Sequence, residues 1–316
     1  MKKTILALQS LLPREMEQLE DQYDVIRLWE ARDPEAVLKN RGLEIQGILS
    51  KYDGGGVSER LMEALPNLEI IAQFGVGYDN IDLVTADKRG VTLTNTPDIL
   101  TDDTADAALY LILNVARRVV EADMFVRVGR WHSGAFPLST SLGGKTVGIV
   151  GLGRIGSAIA SRVEAFNMQV IYHSRNKKED VPYQYYESLE DMARDSDFLV
   201  LACAGGQSTN NLITYKIFEA LGSKGYLINI ARGSVVNEED LLIALRNQTI
   251  AGAGLDVYAK EPHVPEELFK MDNVVLSPHM ASATLETRSK MGQLVLDNLK
   301  AHFAGQELLT PVRLAS

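Results

Sequence analysis

The chain has a single cysteine, Cys203, in 316 residues. That excludes an intrachain disulfide framework and any multi-cysteine zinc site. The thiol lies in an apolar strand-like run, Phe198 to Cys203, and reads as a small buried hydrophobe. Positive charge is also in short supply. Lys and Arg number 32 against 42 Asp and Glu, a net charge of −10, which argues against general affinity for nucleic acid or an anionic membrane. No apolar run approaches the ~18 residues of a membrane span. Residues 1–8 begin like a signal peptide, but the run breaks at Gln9 and Ser10, Pro13-Arg14-Glu15 follows, and no small-residue cleavage site is present. Residues 3–9 read instead as a first strand, and the default address is the cytoplasm. Low-complexity tracts and loose linkers are missing too.

What remains is an ordinary globular composition, 46% hydrophobic and 23% charged, long enough for two domains with separate cores. Short apolar runs alternate with helical patterns. Candidate strands are Ile5–Leu8, Val25–Leu28, Ile45–Leu49 and Ile70–Ala72, with helices beginning near Arg14, Pro34 and Ser58. A second series runs through Val147–Val150, Val170–Tyr172, Phe198–Ala202, Tyr226–Ile230, Gly252–Leu255 and Val274–Leu276, with helical stretches such as Glu238–Leu245 between. Alternating elements of this kind build parallel sheets covered by helices on both faces. The expectation is an α/β chain of two doubly wound domains.

The join between the series reads as helix. Thr101 can cap a segment from Asp102 to about Val120, with Asp103 and Asp106 in its first turns and an apolar middle, Ala107 to Ala116. Leu285 to Phe303 forms a second long helix with Met291, Val295 and Leu299 on one face. The small domain is then discontinuous, 1–98 plus 288–316, around an inserted domain of 99–287, with a cleft between them.

Lys145 to Gly156 reads Lys-Thr-Val-Gly-Ile-Val-Gly-Leu-Gly-Arg-Ile-Gly. An apolar strand leads into Gly151, Gly153 and Gly156, and Ile155, Ile159 and Val163 recur behind them at helical spacing. This strand, tight turn and helix are the context a dinucleotide-binding loop requires. Gly151 permits the turn, Gly153 admits a pyrophosphate, and Gly156 lets helix and strand pack, while free N–H groups at the helix start face the phosphate charge. A Gly-rich turn in some other α/β protein is the plainer alternative.

Four motifs then carry a family resemblance over essentially the whole chain. They are Phe74-Gly75-Val76-Gly77-Tyr78-Asp79-Asn80-Ile81-Asp82, Val147 to Gly156, Asn229-Ile230-Ala231-Arg232-Gly233, and Gly254-Leu255-Asp256-Val257-Tyr258 through Glu261-Pro262 with Ser277-Pro278-His279. The chain resembles the D-isomer-specific 2-hydroxyacid dehydrogenases, whose fold sets a Rossmann cofactor domain into a flavodoxin-like substrate domain. Thr101-Asp102-Asp103-Thr104-Ala105-Asp106, Arg130-Trp131 and the basic turn at Arg175 look most like the NADPH-dependent glyoxylate/hydroxypyruvate reductase branch.

Reducing a 2-keto acid needs a cation for the carboxylate, a proton donor for the developing alkoxide, and hydride at the carbonyl carbon. Arg232 follows the strand Tyr226–Ile230, at the end where open parallel sheets bind ligands, and its planar fork suits a carboxylate. By itself such an arginine is more often a surface ion-pair partner. His279 carries an imidazole, a group that can give and take a proton, though a lone loop histidine is more often only hydrogen-bonded. Glu261 can stabilise protonated His279, or be a solvated carboxylate beside Lys260. The resemblance makes Arg232, Glu261 and His279 the catalytic set and Asp256 the partner of the nicotinamide amide. It also implies that backbone N–H groups of Val76 and Gly77 bind the substrate carboxylate, alongside Arg232 and His279. Bottom-up, that turn can aim several amides at one anion or simply end its strand. Further cofactor contacts implied by the resemblance are Thr104, Arg154, Ile155, Cys203, Thr209 and Ala231, Thr104 being otherwise a helix-capping residue.

An NAD site usually carries Asp or Glu about 20 residues past the Gly loop. Here the chain reads Tyr172-His173-Ser174-Arg175-Asn176-Lys177-Lys178, with no acid before Glu179. Ser174, Arg175 and Asn176 can donate to a 2′-phosphate that a carboxylate would repel, so NADPH is preferred over NADH, unless the turn is only a solvated basic one. Two departures from the family pattern leave the catalytic groups intact: Ala204 where Pro is common, and Met280-Ala281 where Ile-Gly is common.

The substrate is expected to be a small 2-keto acid, glyoxylate or hydroxypyruvate first, with arylpyruvates and 2-keto sugar acids as alternatives. Lys51-Tyr52-Asp53 and Gly54 to Gly56 suggest a polar wall on the first domain, or an ordinary loop. Trp131 is either a pocket wall or an interface anchor, and 117–144 resembles the arm through which family members form homodimers. The competing class is a non-catalytic dinucleotide sensor of the corepressor type; no basic tail or extension for partners is visible. A 3-phosphoglycerate dehydrogenase is disfavoured because no Lys/Arg-rich phosphate site or regulatory domain is evident.

Overall fold

The structure, a computed structural model, describes residues 2–50 and 56–313. The expected wall at Lys51-Tyr52-Asp53, with Gly54 and Gly55, lies outside the described residues. The chain divides into two compact units, residues 1–100 with 283–316, and residues 101–282.

In the first unit the order is β1 (Thr4–Ala7), α1 (Pro13–Gln22), β2 (Asp24–Arg27), α2 (Pro34–Arg41), β3 (Ile45–Ser50), α3 (Glu59–Glu63), β4 (Ile70–Gln73), α4 (Leu83–Lys88) and β5 (Thr92–Thr94). All five strands are parallel, in the order β2-β1-β3-β4-β5. β1 and β4 are buried along their whole length, as strands covered on both faces must be, so their residues form apolar runs rather than alternating patterns. Short polar side chains start the helices. Asp33 accepts from the Ala36 amide, Ser58 from Leu61 and Asp82 from Thr85, satisfying N–H groups that the first turn leaves unpaired. β5 escapes a reading by hydrophobicity because it is only Thr-Leu-Thr, yet it pairs in register with β4 from Ile70↔Thr92 to Ala72↔Thr94.

The second unit runs α5 (Thr101–Arg117), α6 (Val119–Arg127), β6 (Thr146–Val150), α7 (Arg154–Glu164), β7 (Gln169–His173), β8 (Gln184–Tyr185), α8 (Leu189–Arg194), β9 (Phe198–Leu201), α9 (Tyr215–Leu221), β10 (Tyr226–Asn229), α10 (Glu238–Arg246), β11 (Gly252–Leu255) and β12 (Val274–Leu276). Its seven parallel strands follow the order β12-β11-β10-β9-β6-β7-β8. The chain therefore reverses direction between β6 and β9, the switch point at which open α/β sheets leave a crevice beyond the strand ends. Both sheets are those of an α/β doubly wound chain.

The long helix expected from Asp102 to Val120 needs correction. Thr101 is already its first helical residue, and it stops at Arg117 because Arg118 turns left-handed with φ +53 before α6 begins. Leu111, Ile112 and Val115 are buried where α5 packs on β10, β11 and β12, while α6 has no buried residue. Cys203 lies beyond β9, which ends at Leu201, rather than inside the strand. The final helix, α11 (Leu285–Phe303), returns to the first unit. Thr284 caps it, and Met291, Val295 and Leu299 are buried.

Candidate active site

Three neighbouring strands of the second unit end together, because β10 pairs Asn229 with Leu255 of β11, and β11 pairs Leu255 with Leu276 of β12. Arg232, Asp256 and His279 follow these ends by one to three residues, so the sheet delivers them to one edge. The Asn229 side chain, 1% exposed, accepts from the Ala231 amide at 3.0 Å and donates to the Arg232 carbonyl at 3.0 Å. It thereby fixes the turn from which Arg232 projects. Arg232 is half-buried, and its guanidinium donates to the Ala231 carbonyl at 2.8 Å. Gly233 is required next. A Cβ there would lie 1.9 Å from the carbonyl carbon of Tyr258, so only glycine lets this turn pack on the loop that carries Glu261.

His279 Nδ1 lies 2.6 Å from Oε2 of Glu261. Oε1 of the same carboxylate accepts from the Tyr258 amide at 3.0 Å, which fixes its orientation. Glu261 has 14% of its side chain exposed and His279 31%, so the acid is sheltered while the imidazole remains reachable. His279 adopts a left-handed backbone, φ +50, uncommon for a residue other than glycine. Asp256 holds it there. Its carbonyl accepts from the His279 amide at 2.8 Å, and its carboxylate accepts from Ser277 Oγ, Met280 N and Ala281 N at 2.6, 2.9 and 3.0 Å. Ser277 Oγ in turn meets the Tyr110 hydroxyl at 3.1 Å. Burial lifts the Tyr258 hydroxyl to about 12, so it stays neutral and bridges to the Ser277 carbonyl at 3.0 Å.

At the switch point, Gly151 has φ +93 and a Cβ on it would lie 2.7 Å from Cα of Cys203. Gly156 is as constrained, since its Cβ would meet the Gly151 carbonyl oxygen at 2.1 Å. A Cβ on Gly153 would meet nothing within 4 Å, leaving room beside the start of α7. The first bond onto that turn runs from Ser157 N to the Gly153 carbonyl at 2.9 Å, so the amides of Ile155 and Gly156 precede the helical ladder. Arg154 is exposed. These residues fit a pyrophosphate: open space at Gly153 and amides at a helix N-terminus.

Ser174, Arg175 and Asn176 follow β7 in an exposed turn. The Ser174 hydroxyl donates to the Asn176 carbonyl at 2.7 Å. The carbonyl of Ser174 accepts from Tyr185 of β8. Thr104 is buried in the first turns of α5 and Ala231 is buried beside Arg232. Thr209 donates to the carbonyls of Ala204 and Gly206 at 2.8 and 3.2 Å, closing the loop after Cys203. Val76 and Gly77 belong to the first unit, half-buried in the turn after β4. Sequence reasoning quoted Asn229 and Ser277 within motifs but gave them no role, and it missed Tyr110. Asn229 was visible only as a motif letter, and nothing in the spacing ties Tyr110 to a residue 167 positions away.

A family model described as D-isomer specific 2-hydroxyacid dehydrogenase, NAD binding domain, matches residues 109–281. A glyoxylate/hydroxypyruvate reductase A of Arabidopsis thaliana is 47% identical over 93% of this chain and 94% of its own length. A 2-ketogluconate reductase of Gluconobacter oxydans is 43% identical over 98% and 99%. Among solved structures, an NADPH-dependent glyoxylate/hydroxypyruvate reductase of Sinorhizobium meliloti, in complex with NADP and malonate, superposes with a TM-score of 0.94 at 46% identity, covering 99% of this chain and 98% of the other. On these grounds, and on the strand-end arrangement of Arg232, Glu261 and His279, the chain belongs to the D-isomer specific 2-hydroxyacid dehydrogenase family.

Proposed function

We propose that the protein is an NADPH-dependent reductase that converts small 2-keto acids, glyoxylate and hydroxypyruvate foremost, to D-2-hydroxy acids. The observation that carries this is the 2.6 Å contact between His279 Nδ1 and Glu261 Oε2 beside the Arg232 turn. Glu261 holds Nδ1 and leaves Nε2 to pass a proton to the oxygen of the substrate carbonyl. Arg232 grips carboxylate and carbonyl oxygens and favours the charge that develops on the latter. The amides of Val76 and Gly77 take the substrate carboxylate. The reduced nicotinamide supplies the hydride.

In this reading residues 99–287 hold the cofactor, and 1–98 with 288–316 form the substrate domain. Gly151, Gly153 and Gly156, with Arg154 and Ile155, cradle the pyrophosphate, while Thr104, Cys203, Thr209, Ala231 and Asp256 line the rest of the dinucleotide. Asp256 retains little free acceptor capacity for a nicotinamide amide, since its carboxylate already takes three hydrogen bonds. NADPH preference rests on Arg175, which has no hydrogen bond or ion pair among the described residues and is exposed in a turn free of carboxylates. The S. meliloti relative holding NADP supports it. Names among the relatives keep 2-ketogluconate and hydroxyphenylpyruvate open as alternatives.

The protein is further proposed to be a homodimer of the cytoplasm. Exposed Val120, Met124, Val126, Val128 and Trp131 on and after α6 support a covered face there, and one unpaired cysteine suits a reducing compartment. The nicotinamide absorbance band tests the activity directly, with NADPH or NADH offered against glyoxylate, hydroxypyruvate, hydroxyphenylpyruvate and 2-ketogluconate. Faster oxidation of NADPH is expected. Faster oxidation of NADH would overturn the cofactor assignment, and dinucleotide binding without any turnover would favour a sensor.

A further inference from the structure

The turn after β4 presents its peptide groups in a fixed order. The Gly75 carbonyl accepts from the Thr96 amide at 2.9 Å. The Val76 carbonyl accepts from Asn95 Nδ2 at 2.8 Å. The Gly77 carbonyl accepts from Gln73 Nε2 at 2.9 Å. In a trans peptide the C=O of one residue and the N–H of the next point in opposite directions. Holding the Gly75 carbonyl toward Thr96 therefore turns the Val76 amide away from it, and holding the Val76 carbonyl toward Asn95 turns the Gly77 amide away. Neither amide has an acceptor among the described residues. Among the described residues, only the second of these peptides is oriented by a side chain with no other hydrogen bond of its own.

Asn95 is itself anchored. Its carbonyl accepts from Thr310 Oγ1 at 2.7 Å, and Thr310 Oγ1 accepts from Asn298 Nδ2 at 2.9 Å. Asn298 is 1% exposed in α11, and its Oδ1 accepts from the amides of Leu309 and Thr310 at 3.1 and 3.2 Å. Thr94 and Pro311 form an antiparallel bridge beside this point. The segment after α11 thus works as a strap that fixes the end of β5, and β5 fixes the loop.

We propose that Asn95 is the positioning residue of the substrate anion site: by holding the Val76 carbonyl it keeps the Gly77 amide, with that of Val76, aimed at the carboxylate. This rests on the assignment of the carboxylate to those two amides. Without the Asn95 donor, the Val76–Gly77 peptide is free to rotate and the anion loses a preset donor.

The test compares Asn95→Ala, Asn95→Asp and Asn95→Ser with the parent enzyme, using oxamate as a competitive probe and amide resonances of Val76 and Gly77 in 15N-labelled protein. Oxamate is expected to shift both resonances in the parent enzyme. In Asn95→Ala and Asn95→Asp the KM for the keto acid and the inhibition constant of oxamate should rise about tenfold or more, the effect of a lost hydrogen bond to a charged group. The kcat and the KM for NADPH should stay within about threefold of the parent, less than one such bond is worth. Asp, isosteric but lacking the donor, should bind no better than Ala, whereas Ser should recover part of the affinity. Unchanged oxamate binding in a variant whose two resonances still respond would overturn the role of Asn95 while leaving the anion site standing. Parallel losses of kcat and NADPH affinity would reduce Asn95 to a structural residue. Resonances that ignore oxamate in the parent enzyme would refute the anion site itself.

Discussion

The carbonyl of Asp256 accepts the amide of His279 at 2.8 Å, while the carboxylate of the same aspartate accepts from the two residues that follow the histidine. One residue, 1% exposed, thus fixes a left-handed histidine at the end of β12, through its main chain and its carboxylate together. Asp256→Asn keeps the shape but sets an NH2 group against a backbone N–H. A buried donor left unpaired costs about 1–3 kcal/mol. The expected result is a lower melting temperature together with a kcat reduced about tenfold or more, since a displaced imidazole transfers its proton poorly. A variant with parent stability and parent kcat would show that the loop holds His279 without this carboxylate.

His279→Gln and Glu261→Gln separate the proton donor from its support. Removing a general acid costs about 10²–10⁴ in rate, so His279→Gln should lower kcat by that range with little change in NADPH binding. Glu261→Gln should cost less, because the imidazole remains while its charge-stabilising acceptor is lost. Steady-state kinetics on the best keto acid, with NADPH titrated separately, distinguish the two. Equal losses in both variants would mean that Glu261 acts on something besides the histidine.

Arg175→Ala is expected to raise the KM for NADPH about tenfold or more and to leave that for NADH nearly unchanged, as befits a charge-assisted contact to the 2′-phosphate. Equal changes for both cofactors would remove Arg175 from the specificity assignment. Lys177, also exposed in this turn, then becomes the residue to replace.

Much of this architecture was legible in the chain because buried parallel strands are written as apolar runs, and six of the seven strands of the second unit were so marked. The exceptions have physical causes. β5 and β8 consist of Thr-Leu-Thr and Gln-Tyr, too short and too polar to register, and both lie at sheet edges. The break at Arg118 was hidden because Val119 and Val120 continue the apolar pattern although both are exposed. At the site, Arg232, Glu261 and His279 were readable as motif members. The holding roles of Asn229, Asn95 and Ser277 were not readable, since their partners, backbone carbonyls for the two asparagines and the Asp256 carboxylate for Ser277, are groups that only the fold brings near.

Cys203 is the one thiol, half-buried beyond β9, and burial pushes its pKa from the ordinary 9.0 to about 11. A rise of that size leaves about a hundredfold less thiolate at neutral pH, and thiolate is the reactive form. Iodoacetamide should therefore label the native protein about a hundredfold more slowly than a free cysteine at about pH 8, with the rate still climbing beyond about pH 10. Labelling in urea should restore ordinary reactivity. Rapid native labelling would show that the thiol is neither buried nor protonated as the structure implies.

His302 makes a test of stability against pH. Its ring lies edge-on to Phe303 and 3.6 Å from Glu69 Oε2, with 19% of the side chain exposed. Burial lowers its pKa below the ordinary 6.5, outweighing the opposing pull of Glu69, and nearby Lys3 adds to the lowering. The unfolded chain therefore takes up the proton first as pH falls. The neutral ring contributes fully above about 6.5, loses that contribution as pH drops from there to the folded pKa, and changes no further below it. His302→Gln removes the titration while Lys3 and Glu69 remain. The melting temperature of the parent protein should thus fall more steeply than that of the variant between about pH 7 and pH 5. Parallel curves would mean that the folded ring accepts its proton as readily as the unfolded chain does, and the burial of His302 against Phe303 would then carry no electrostatic cost.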